Sequence, residues 1–114
     1  MKTMHQKLIE SGKAMGMAAK ELNEITSNLW ILEAQLDQVK AIILNMDRVQ
    51  NLPNQAMREA EMNVILDNNP EYSTLYRDTL QTRAEAKIAY TNWVLAQELN
   101  KNVRALLMNG GLSE

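Results

Sequence analysis

The sequence predicts an all-α protein: an elongated antiparallel hairpin of two long helices with a short intervening helix, assembling into a four-helix-bundle-like oligomer. Three observations carry this. From Leu8 to Met46, apolar or small residues recur at alternating spacings of three and four, and only Ser11 among them is polar. That repeat marks a helix packed along its length on other helices. The chain has only two prolines, and each falls in a short stretch rich in turn formers, which divides the helical sequence into three pieces. Finally, both long pieces carry a second apolar stripe beside the first, so each helix needs more than one neighbour.

The first piece spans about residues 4–50. Its seam is Leu8, Ser11, Met15, Ala18, Leu22, Ile25, Leu29, Leu32, Leu36, Val39, Ile43 and Met46. Gly12 and Gly16 interrupt the first turns, each weakening a helix interior by ~1 kcal/mol relative to Ala. Met1, Met4, Met15 and Met17 gather in the same stretch. Residues 1–20 therefore read as weakened, adaptable turns, with a Met-rich docking segment as the sharper alternative. Trp30, Ile31, Ala34, Ala41 and Leu44 form an apolar patch away from the seam, so the helix between Trp30 and Leu44 is expected to be covered on two sides.

Leu52-Pro53-Asn54 ends this piece, because proline disfavours the helical conformation in the residue before it. Asn54 suits the N-cap of a short helix over about 55–66. Asp67-Asn68-Asn69-Pro70 is the second break. Pro70 and Glu71 suit the first turn of a long helix over about 71–108. One stripe of that helix is Leu75, Thr79, Thr82, Ala86, Ala89, Trp93, Ala96, Val103 and Leu107, interrupted by Asn100. The other is Tyr76, Leu80, Ala84, Ile88, Leu95, Leu99 and Leu106. Asn109-Gly110-Gly111 reads as a C-terminal stop and 109–114 as a disordered tail. The whole chain, 1–114, is expected to form one domain.

A hairpin buries one face of each long helix. A second copy related by a two-fold axis is the simplest cover for the rest, so a homodimer or higher oligomer is expected. Leu29, Trp30, Leu32, Leu36, Leu44, Ile88, Trp93 and Leu95 are its candidate interface residues.

Composition excludes several chemistries. The sequence contains no cysteine, which rules out disulfides, thiolate metal sites and Cys nucleophiles. His5 is the only histidine and no Glu-x-x-His occurs, which argues against a histidine triad or a di-iron bundle. Glu59 and Glu61 lie two apart on a helix and face different ways. Gly110-Gly111 follows a helix and cannot cradle a phosphate at a helix start. No catalytic residue, metal ligand or cofactor is expected. With twelve Lys and Arg against fourteen Asp and Glu, the net charge is −2, so a nucleic-acid binder driven by basic excess is disfavoured. No stretch suits a signal peptide or a membrane span, which makes the cytoplasm the expected location.

One polar constellation remains. Tyr72, Tyr76, Arg83, Lys87 and Tyr90 fall near one side of the last helix, where tyrosines supply stacking surface and Arg can grip a phosphate. The alternative is that the cations pair with Glu21, Glu24, Glu33 or Asp37 of a neighbouring helix, and Asp78 and Glu85 dilute the basic charge. The expected function is a non-enzymatic oligomeric interaction protein: an adaptor, assembly factor or inhibitor acting on another protein. The runner-up is a nucleotide- or nucleic-acid-binding module using the Tyr/Arg/Lys face. The cysteine-free, acidic helical composition resembles that of small accessory proteins of bacteria and their viruses.

Overall fold

The computed structural model describes residues 1–109 and contains no strand among them. The helices are α1 (Met4–Leu44), α2 (Asp47–Gln50), α3 (Gln55–Asp67) and α4 (Pro70–Asn109). The all-α class therefore holds. The C-terminal stop at Gly110-Gly111 and most of the expected tail lie outside the described residues, while Asn109 still belongs to α4.

The starts of α1, α3 and α4 are each fixed by a side chain. The Thr3 backbone N–H donates to Gln6 Oε1 at 2.9 Å, and the Gln6 N–H donates to Thr3 Oγ1 at 3.1 Å. This reciprocal capping box satisfies two otherwise orphaned donors, and α1 then runs without a break through Gly12 and Gly16. Asn54 caps α3 as expected, its Oδ1 accepting from the Met57 N–H at 2.9 Å. Asn69 Oδ1 accepts from the Tyr72 N–H at 3.1 Å, and Pro70 occupies the first position of α4. There its missing N–H costs no hydrogen bond.

The helix expected over 4–50 is interrupted at Asn45 and Met46. Met46 adopts an extended conformation, φ −67° and ψ 138°, and α2 follows. Gln50 Nε2 donates to the carbonyl of Leu44 at 2.6 Å, satisfying one of the acceptors exposed where α1 ends. The kink re-aims Val49. On a continued helix Val49 lies off the seam, whereas after the break it is fully buried.

Packing divides the chain into two compact units. In the central unit, Ser27–Arg83, the buried core is Ile43, Val49 and Leu66, with Val39, Met62, Ile65 and Tyr72 packed against it. Fully burying an aliphatic side chain contributes ~1.5–3 kcal/mol, so this cluster is the unit's main anchor. Leu36 and Thr79 are also buried, and the Thr79 hydroxyl donates to the carbonyl of Leu75 on its own helix at 2.7 Å. Arg48 bridges α2 to α3 through Glu61, with Nη2 to Oε1 at 2.7 Å. Arg58 Nε donates to the carbonyl of Leu52 at 3.1 Å.

The terminal unit, Met1–Thr26 with Ala84–Glu114, is packed differently. Its buried residues are Ala89 and Val103 together with two polar ones, Ser11 and Asn100. Asn100 Nδ2 donates to Ser11 Oγ at 3.0 Å, and Ser11 Oγ donates to the carbonyl of Leu8 at 3.1 Å. Leu8, Met15, Ala18, Leu22 and Ile25 are half-buried, as are Ala86, Trp93, Ala96 and Leu107. The α1 and α4 segments run antiparallel in this unit. Ser11 meets Asn100, while Glu21 and Glu24 share a groove with Asn92 and Ala96.

Candidate interaction surface

In the terminal unit, burial separates the two stripes of α4. The inner stripe is Ala86, Ala89, Trp93, Ala96, Asn100, Val103 and Leu107. The outer stripe is Ile88, Leu95, Leu99 and Leu106, which are 62%, 62%, 54% and 61% exposed. The spacings 88–95, 95–99 and 99–106 keep these four on one helix face, with Asn92 and Asn102 at the intervening positions. The inner side of α4 is thus rich in alanine and carries an asparagine, while Ile and Leu are turned to solvent. Burial of apolar area alone would favour the reverse. On α1 of the same unit, Ile9 and Met17 are exposed. A groove of about 640 Å³ lies between the helices, lined by Ala14, Ala18 and Ala96 together with Met17, Glu21 and Glu24. Small side chains along a groove leave room for another helix to approach closely.

The central unit has its own exposed patch. Trp30 is 79% exposed, and Ile31, Ile42, Leu44 and Leu80 are exposed beside solvent as well. Trp30, Ala34 and Ala41 fall on the side of α1 opposite its seam, as their helical spacing requires. A second groove, of about 700 Å³, is lined by Gln35, Gln38, Asn69 and Thr74 along with Ile42 and Leu75.

The candidate interface residues are distributed as follows. Leu36 is buried, and Leu29, Leu32 and Trp93 are half-buried on the packed side of their helices. Trp93 packs near Tyr90, with ring centroids 6.0 Å apart. Trp30, Leu44, Ile88 and Leu95 are open to a partner.

The Tyr/Arg/Lys set is divided between the units. In the central unit, Tyr72 is half-buried against the core and stacks on Tyr76 at 5.9 Å. Arg83 Nε donates to Glu33 Oε1 at 3.2 Å, one of the carboxylate partners the sequence suggested. Lys87 and Tyr90 belong to the terminal unit and are exposed. Among the described residues, no group of three or more His, Asp or Glu is placed to hold a metal ion. No helix of the described residues is long and apolar enough to cross a membrane.

Two features escaped the sequence reading. The Thr3-x-x-Gln6 capping box was visible as a motif. The Ser11–Asn100 pair left only an indirect signal: over residues 1–26 and 84–109 each packed stripe is interrupted by one polar residue, at positions that an antiparallel arrangement brings level. Comparison with protein-family models, with curated protein sequences and with solved structures gave no match.

Proposed function

We propose that this chain is a non-enzymatic, cytoplasmic interaction protein. It associates with a second copy of itself in a four-helix-bundle-like oligomer and presents its remaining apolar surface to another protein, as an adaptor, assembly factor or inhibitor does. One observation carries the reading: the strongest apolar stripe of α4, Ile88, Leu95, Leu99 and Leu106, faces solvent. Contiguous exposed apolar patches on soluble proteins mark sites of association. The alanine-lined groove beside that stripe offers a place where the same stripe of another copy fits, and a two-fold axis satisfies both copies at once. Trp30 on the central unit is the natural anchor for a different protein, because Trp is enriched where partners are gripped.

Multi-angle light scattering of the purified chain at micromolar concentration tests the self-association. The expected mass is at least twice 13.0 kDa, falling to that of one chain in the Leu95→Glu, Leu99→Glu variant. Both positions are exposed, so the helices survive the change. A mass of one chain before any substitution refutes the self-association. The nucleic-acid reading has less support, because Arg83 already faces the Glu33 carboxylate at 3.2 Å. Oligonucleotide binding that is salt-sensitive and is lost in Arg83→Ala, Lys87→Ala would reverse that preference.

A further inference from the structure

We propose that the outer face of α1 between Gln6 and Lys20 binds the surface of an anionic lipid bilayer. The net charge of −2 conceals an uneven distribution. Residues 1–20 carry Lys2, Lys7, Lys13 and Lys20 against the single carboxylate of Glu10, whereas the rest of the chain carries eight basic and thirteen acidic residues. In the same unit, Asn100 of α4 meets Ser11 of α1 at 3.0 Å, and from there to Asn109 α4 adds Lys101 and Arg104 and no carboxylate. Helical geometry sorts these residues. Ser11 is buried toward α4, with Leu8, Met15 and Ala18 half-buried on the same side. A residue two positions from an inward one points outward. Gln6, Ile9, Lys13, Gly16 and Lys20 recur at spacings of three and four, and all five are exposed, so they form one stripe along the outer face. Glu10 beside it already accepts from Lys2 Nζ at 2.8 Å.

The composition of the face selects the kind of anion. A lysine ammonium on its flexible stem suits a headgroup layer whose charges have no fixed positions. Ile9 and Met17, 58% and 73% exposed beside the lysines, provide aliphatic side chains that reach past the headgroups. A helix with a basic face of this kind lies on a membrane surface. Single-stranded nucleic acid is gripped by stacking rings, and phosphates of fixed spacing by Arg forks; residues 1–20 contain no Tyr, Trp, Phe or Arg. The contact is peripheral, since no helix of the described residues is long and apolar enough to cross a membrane. It leaves out the Ile88–Leu106 stripe of α4, so it stands or falls separately from self-association.

Co-sedimentation with sucrose-loaded vesicles tests this, with phosphatidylcholine alone compared with phosphatidylcholine plus phosphatidylserine. The chain is expected to pellet with the anionic vesicles only, and less so as salt rises. Lys13→Gln with Lys20→Gln, both at exposed positions, is expected to weaken this binding by roughly thirtyfold. Gly16→Leu acts in the opposite sense. A Cβ at Gly16 meets nothing within 4 Å, so the leucine joins Ile9 on the outer face and is expected to tighten binding roughly tenfold. Absence of the protein from the anionic pellet overturns the inference. Equal binding to the neutral vesicles does so too, as does binding indifferent to both variants. Tighter binding to a duplex oligonucleotide, or to polyglutamate, than to the anionic vesicles would assign the same lysines to a nucleic acid or an acidic protein, and would also overturn it.

Discussion

The two units solve one packing problem with different materials. The central unit closes its helices around Ile43, Val49 and Leu66, and α2 and α3 supply two of those three side chains. Among the described residues the terminal unit has only the α1 and α4 segments, and it buries alanine, valine and a Ser–Asn pair between them. Two added helices let the central unit enclose Ile43, Val49 and Leu66 within one chain, while Ile31, Ile42, Leu44 and Leu80 stay exposed. Without them, the terminal unit leaves Ile88, Leu95, Leu99 and Leu106 outside. The contrast shows an aliphatic core where the chain folds back on itself, and a row of exposed Ile and Leu along α4 where it does not.

Truncation in the central core breaks the comparison most severely. Leu66→Ala is expected to cost about 2–5 kcal/mol, read by urea denaturation, with hydrogen exchange accelerating over 27–83. Faster exchange confined to the terminal unit would contradict the assignment of the anchor. A smaller effect of opposite sign is expected at Gly16, where a Cβ meets nothing within 4 Å. Gly16→Ala is expected to stabilise by up to about 1 kcal/mol, with slower exchange over 4–26. Destabilisation there would mean that α1 needs its glycine for a reason other than space. The smallest effect belongs to Arg83. Its bridge to Glu33 joins two side chains 47% and 39% exposed, so Arg83→Ala is expected to change stability by no more than about 1 kcal/mol, less at high salt. A larger loss would promote this pair from surface contact to structural tie.

Much of the fold was legible because helical periodicity reports directly on which side of a helix is covered. Leu36 and Ile43 on the α1 seam are buried, as are Thr79, Ala89 and Val103 on the first α4 stripe. Asn54 and Pro70 marked their helix starts through local chemistry that needs no tertiary context. The interruption at Asn45–Met46 was not legible, since neither residue is a helix breaker and the kink serves the burial of Val49 against residues distant in sequence. That α4 carries two stripes was readable, but which one turns inward was not. Both share the helical period, and the less apolar of the two is the one buried. The Ser11–Asn100 pair joins residues 89 apart in sequence, a distance over which local pattern carries no information.

The two tryptophans sit in opposite surroundings, one to each unit. Trp30 stands 79% exposed on the central unit, and Trp93 lies half-buried in the terminal unit beside Tyr90. The protein thus contains a two-channel optical probe. Emission from Trp30, 79% exposed, is expected at long wavelength and open to collisional quenchers, so capping of the central unit's outer face is expected to register as a blue shift and loss of quenching. Emission from Trp93 is shielded, so parting of the α1 and α4 segments in the terminal unit registers as the reverse. Replacing either with Phe isolates the other, and binding on one unit becomes distinguishable from opening of the other without any attached dye.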